Sequence, residues 1–229
     1  MLSYTQTYKN MKKITITLLM AILFASPIFS QWSDVSAWVS RPLSTPEATA
    51  SPFIWYEAVT SENLFIDLRY GFDWSNTMGL YVGPNLQNES ASLWASPQIG
   101  LLYSADPDGF NGFGPEVEFG GESVDSTGFQ YSFYGMGQYA RTTCDEASFF
   151  YGYLEMFWEP TDYLKIGYAG QAISTTGTDE GSPLAYHWIE TGPVVKITLF
   201  EKFYFKPWFV WSTSTAYDQK IVAGIGYTF

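Results

Sequence analysis

His187 is the single histidine of the 229-residue chain and stands in AYHWIETG. An imidazole can act as general base beside a nucleophilic serine, or beside paired acids. No serine adjoins it, and Trp188 and Ile189 place it where a loop meets a strand. It reads as an interfacial residue, and no catalytic residue is assigned. The loop DPDGFNG offers Asp106, Asp108 and Asn111 as hard oxygen donors for calcium. A calcium loop needs glycine at its sixth position, where this chain has Asn111. A Gly/Asp/Pro turn accounts for the segment, so no metal and no other cofactor is expected. Glu116 and Glu118 would share one face of a strand, where paired carboxylates can do acid–base work but more often are solvated. Cys144 is alone, which rules out an intrachain disulfide.

The other charges become informative once strands position them. Turn signals divide the chain into about twelve strands, within a range of ten to fourteen. Examples are Val35–Ser40, Leu64–Asp73, Pro115–Gly121, Tyr163–Ile173 and Gln219–Phe229. Apolar side chains recur at every second position: in Leu64–Asp73 one face is Leu64, Ile66, Leu68, Tyr70 and Phe72. Pro193 and Pro207 fall inside the tenth and eleventh strands, where each removes a ladder donor. Bulges or strand ends are expected there.

Residues 11–31 read MKKITITLLMAILFASPIFSQ, a basic start, an apolar run and a small residue before Gln31. That is the pattern of a secretory signal peptide, with Met11 as the start and residues 1–30 outside the fold. One domain, 31–229, remains. Losing Lys9, Lys12 and Lys13 moves the formal charge from −12 to −15, which excludes nucleic acid as a partner by bulk charge. Aromatic residues make 19% of the chain and charged ones only 15%. An exported chain with that ratio and no disulfide needs another source of stability, and closed strand pairing in a bilayer supplies one. Aromatic girdles at the two membrane interfaces would account for the excess.

The chain ends IVAGIGYTF, with Ile221, Ala223, Ile225, Tyr227 and Phe229 on one face. In this it resembles bacterial outer-membrane β-barrel proteins, whose last strand ends in Phe or Trp with apolar residues alternating back from it. The resemblance implies an all-β, antiparallel up-and-down transmembrane barrel in the outer membrane, in contact with outer-membrane lipid. It also implies that Ile225, Tyr227 and Phe229 form the signal read by the barrel-assembly machinery.

In such a barrel the polar face turns inward. The expected lumen-lining acids are Glu57, Asp67, Asp73, Glu116, Glu118, Glu155 and Glu190; the bases are Arg69, Lys165, Lys196, Lys206 and Lys220. Apart from Arg69, the bases lie on the last four strands. Apart from Glu190, the acids lie on strands two to eight. Closure would set a basic wall against an acidic wall, a field suited to a passive, porin-like channel for small polar solutes. A non-conducting structural or adhesive barrel is the alternative. A lipid-modifying enzyme acting through His187 is the third reading.

Overall fold

A computed structural model describes residues 30–43, 51–71, 77–88, 90, 92–104, 111–126, 130–142, 148–176, 178–179, 182–183, 186–213 and 219–229. Twelve long strands carry the fold. In chain order they are β1 Ser30–Pro42, β2 Ser51–Thr60, β3 Leu64–Tyr70, β4 Thr77–Pro84, β5 Leu93–Ser104 and β6 Gly112–Val124. Then come β7 Gln130–Thr142, β8 Ser148–Thr161, β9 Leu164–Thr176, β10 Tyr186–Leu199, β11 Phe203–Ser212 and β12 Gln219–Thr228. Each pairs antiparallel with its neighbours in sequence. β12 returns to β1 with pairs running from Asp34↔Thr228 to Pro42↔Lys220, so the sheet closes. Closure leaves no edge for another chain to extend.

The pleat decides which side chains enter the interior. On β5, Ser96 and Gln98 are buried while Ile99 is 72% exposed. On β6, Glu118 is 0% exposed and Val117 is 40% exposed. A soluble sandwich would show the reverse. Apolar side chains outside and polar ones inside are the arrangement of a barrel solvated by lipid. Exposed Leu101, Phe150, Ile189, Phe205 and Ile225 continue the outer apolar band around the circumference.

The connections alternate in length. At the end carrying the termini, β2–β3, β8–β9 and β10–β11 turn within three residues. Phe200 and Glu201 there both take positive φ, 51° and 66°, as a tight, right-twisted hairpin requires. The β4–β5 connection at this end is longer. It is held by a two-residue strand, Leu86–Gln87, that pairs back onto β5.

Pro193 and Pro207 are not at bulges or strand ends. β10 and β11 run straight through them in a single register, from Glu190↔Ser212 to Leu199↔Phe203. What the prolines do is interrupt that one ladder, at Gly192–Pro193 and again at Val195–Lys196. The opposite edges stay paired, with Tyr168↔Pro193 on β9 and Pro207↔Ala223 on β12. The lost donors are confined to one seam. There Trp208 Nε1 donates to the Gly192 carbonyl at 3.2 Å, using an acceptor that the interrupted ladder leaves.

Residues 1–29, which include most of the expected signal peptide, lie outside the described residues. So do Asp73, Asp106, Asp108 and Cys144.

Candidate functional site

The interior divides into a packed half and an open half. The packed half is built by β3–β6 around Arg69, which is 0% exposed. Its guanidinium donates from Nη1 to Glu116 Oε2 at 2.7 Å and from Nη2 to Glu116 Oε1 at 2.5 Å. A further bond reaches Asp67, two residues away on the same face of β3. Glu118 Oε1 lies 3.5 Å from Nη2. The ring centroids of Trp55 and Tyr81 are 4.8 and 4.5 Å from the guanidinium carbon. Arg69 reaches across β4 and β5 to β6; over inward Gly100 the Tyr81 ring takes the space, and the guanidinium faces that ring. Gln98 donates to Glu118 at 2.7 Å and the Tyr134 hydroxyl donates to it at 2.5 Å. Tyr134 also lies 3.4 Å from Glu57. Arg69, together with the Gln98 and Tyr134 donors, holds these carboxylates out of water. A buried carboxylate persists only with such partners.

The open half is a cavity of 710 Å³. Five successive inward positions of β1 line it, Trp32, Asp34, Ser36, Trp38 and Ser40, a run of about 26 Å at the usual strand rise. With strands tilted by roughly 40°, that is about 20 Å of barrel height, most of the ~25 Å apolar band. On β9 the cavity touches Lys165 near one end and Gln171 toward the other; on β10 it touches Trp188 and Lys196. It therefore follows the barrel axis rather than indenting one mouth.

Its charged lining is Asp34, Glu57, Glu122 and Glu155 against Lys165, Lys196, Lys206 and Lys220. Lys206 pairs with Glu155. Lys220 pairs with Glu190 at 2.5 Å, and Lys165 with Glu159 at 2.7 Å. Among the described residues, the lysines of this lining are on β9–β12 and its acids on β1, β2, β6 and β8. Asp67, Arg69, Glu116 and Glu118 turn inward but are packed away from the cavity, as is Glu190. Of the carboxylates lining the cavity, Glu155 is paired with a lysine, Asp34 accepts from Tyr204 and Thr228, and Glu57 lies near the Tyr134 hydroxyl. A narrow interior leaves most charges too dry to stand unpaired; Lys206–Glu155 and Lys220–Glu190 pair across intervening strands, and Lys165–Glu159 across one seam.

The aromatic residues differ most from expectation. Trp32, Trp38, Trp55, Trp94, Trp188 and Trp208, six of the nine tryptophans, line the cavity. Girdles account for only part of the aromatic excess. Trp38 stacks on Phe53 at 5.8 Å and donates its indole N–H to Ser36 Oγ at 2.7 Å. Its ring lies over Gly224, the residue paired with it on β12, where a Cβ would sit 2.4 Å from Trp38 Cε3. Tyr204 lies over Gly226 in the same way. The glycines on the inner face of the last strand are seats for rings.

Asp34 went unnoticed in the sequence because it precedes the first residue of the regular alternation. It accepts from the Tyr204 hydroxyl and from Thr228 Oγ1, both at 2.8 Å. His187 pairs through its backbone with Ser174; its side chain lies outside the described residues. Ile225 and Tyr227 face outward on β12, and Tyr227 stacks edge-on with Phe203 at 4.7 Å and Phe229 at 4.8 Å.

No family model and no curated protein sequence matches the chain. Solved structures do. The NanC porin aligns at 10% identity and a TM-score of 0.57, over 86% of this chain and 98% of that one. The KdgM porin, also solved in complex with disordered oligogalacturonate, aligns at 10% identity and 0.56, over 86% and 99%. An outer membrane channel from Pseudomonas putida F1 aligns at 7% identity and 0.54, over 88% and 96%. The twelve-stranded antiparallel barrel of this chain is the fold of bacterial outer-membrane porins.

Proposed function

We propose that the chain is a porin-like pore of the bacterial outer membrane that passes small polar solutes. The observation that carries this reading is the axial cavity: one continuous space touches every inward position of β1 from Trp32 to Ser40. A barrel serving only as a scaffold has no need of an open half. Spread along about 20 Å of barrel height, 710 Å³ corresponds to a mean cross-section of about 36 Å². Solutes much larger than one ring would be excluded. In this reading Glu57, Glu155, Lys165, Lys196, Lys206 and Lys220 line the solute path. Asp67, Arg69, Glu116 and Glu118 brace the barrel beside it. The outer apolar band meets outer-membrane lipid, and the terminal strand with Ile225, Tyr227 and Phe229 is the element that the assembly machinery reads.

Liposome swelling tests the size limit. Vesicles carrying the folded barrel should swell in glycerol and in a pentose, and slowly or not at all in a trisaccharide. Equal rates for all three solutes, or no swelling at all, would contradict the reading. The second reading, a plugged non-conducting barrel, draws on the Arg69 cluster, which already fills the β3–β6 side. It expects no swelling in any solute.

A further inference from the structure

Three lysines stand side by side on consecutive strands. Lys165 on β9 and Lys196 on β10 are direct cross-strand partners. Lys206 follows on β11, and all three line the cavity. Like charges directly opposite each other destabilise a sheet, so the arrangement calls for something that compensates it. Lys165 has Glu159 and Lys206 has Glu155. Lys196 has no carboxylate partner among the described residues; its ammonium rests on the face of Tyr204, 4.1 Å from the ring centroid. Lys206, Asp34, Glu155 and Lys165 are charged groups near it. Both oxygens of Asp34 are already engaged, by Tyr204 and Thr228, and Glu155 is held by Lys206 and by the Tyr153 hydroxyl at 2.5 Å. An ammonium with donors to spare therefore faces the open cavity.

The surroundings define what would satisfy it. Lys206 Nζ, the neighbouring cation, lies 5.2 Å from the Trp38 ring centroid and 5.6 Å from that of Phe157. Trp208 stands edge-on to Tyr153 at 6.0 Å. Cation and flat apolar surface thus border the same stretch of cavity. We infer that Lys196 is the centre of a binding subsite for an organic monoacid built on one ring, with the carboxylate on the lysines and the ring face against the aromatic lining. A carboxylate accepts charge-assisted bonds from ammonium donors. Ring faces supply contact area that a linear acid lacks. Two sources share this chemistry, a cyclic sugar acid and an aromatic acid.

This inference deepens the channel reading and rests on it for its biological sense, but its test does not need conduction. The barrel, folded in detergent micelles, is titrated with glucuronate, benzoate, acetate and glucose at constant ionic strength, and tryptophan emission is followed. Saturable change with glucuronate or benzoate is expected, with little response to acetate, which lacks a ring, or to glucose, which lacks charge. Which ring acid responds more strongly identifies the source. Lys196→Met should weaken the response roughly tenfold or more, and Lys196→Arg should retain most of it. Heat-modifiable migration verifies that each variant is folded. A uniform response to all four probes would overturn the inference, as would equal affinity in Lys196→Met. A barrel that conducts salt yet binds neither ring acid would leave the channel standing without the subsite. A silent barrel with Lys196-dependent binding would do the opposite.

Discussion

Replacing Arg69 by methionine keeps an unbranched apolar stem and removes the guanidinium with its charge. The guanidinium holds Glu116 through two bonds, 2.7 and 2.5 Å, and also bonds Asp67. Arg69, Asp67 and Glu118 are 0% exposed and Glu116 is 3% exposed. Without the cation, the carboxylates that bonded to it face one another in a dry interior. Breaking a buried pair by removing one partner costs about 3–5 kcal/mol. That is a large part of the 5–15 kcal/mol by which a typical domain is stable. With an m-value of roughly 1–3 kcal/mol/M in urea, the unfolding midpoint should fall by at least about 1 M. Tryptophan emission and heat-modifiable migration in micelles both read this. Adding Asp67→Asn, Glu116→Gln and Glu118→Gln to Arg69→Met should recover much of the loss, because neutral amides carry no charge to compensate. A single Arg69→Met variant within about 1 kcal/mol of the parent would refute the view that this cluster is a fully desolvated, Arg-dependent brace.

Gly224→Val should displace the Trp38 ring from its seat, since even a Cβ would come within 2.4 Å of it. A loss of about 1–3 kcal/mol and a change in near-ultraviolet circular dichroism are expected, and an unchanged spectrum would contradict the packing. Deleting Phe229, which stacks on Tyr227 at 4.8 Å, should reduce assembly in cells sharply. Heat-modifiable barrel at parental level in outer-membrane fractions would count against the assembly-signal reading. His187→Ala should leave solute flux unchanged and stability within about 0.5 kcal/mol. A large drop in either would reopen a role for the imidazole.

Strand number and closure could be read from this sequence because the period-two alternation is strong and the turn residues are frequent. Leu64–Asp73 and Gln219–Phe229 carry their facing on the page. The division of the interior into packed and open halves could not be read. It depends on Arg69 spanning two strands to reach Glu116, a contact between residues 47 apart that no local pattern announces. The prolines misled for a related reason. Pro193 and Pro207 stand on strands that pair with each other, so both losses fall on one seam, which β9 and β12 support from outside. The aromatic residues misled because composition counts rings without saying which face they occupy. Inward tryptophans were visible only as positions such as Trp38 and Trp55, whose parity matches Asp34 and Glu57. The pairing of Gly224 with Trp38 and of Gly226 with Tyr204 turns two unremarkable glycines into the reason that rings can lie flat against the wall.

Single-channel recording in a planar bilayer tests the central claim most directly. The barrel, shown to be folded by heat-modifiable migration, is added to one chamber in potassium chloride. Discrete, repeated current steps that grow with salt concentration are expected from an axial cavity 710 Å³ in volume. Folded barrels that insert and stay electrically silent at every salt concentration would contradict it.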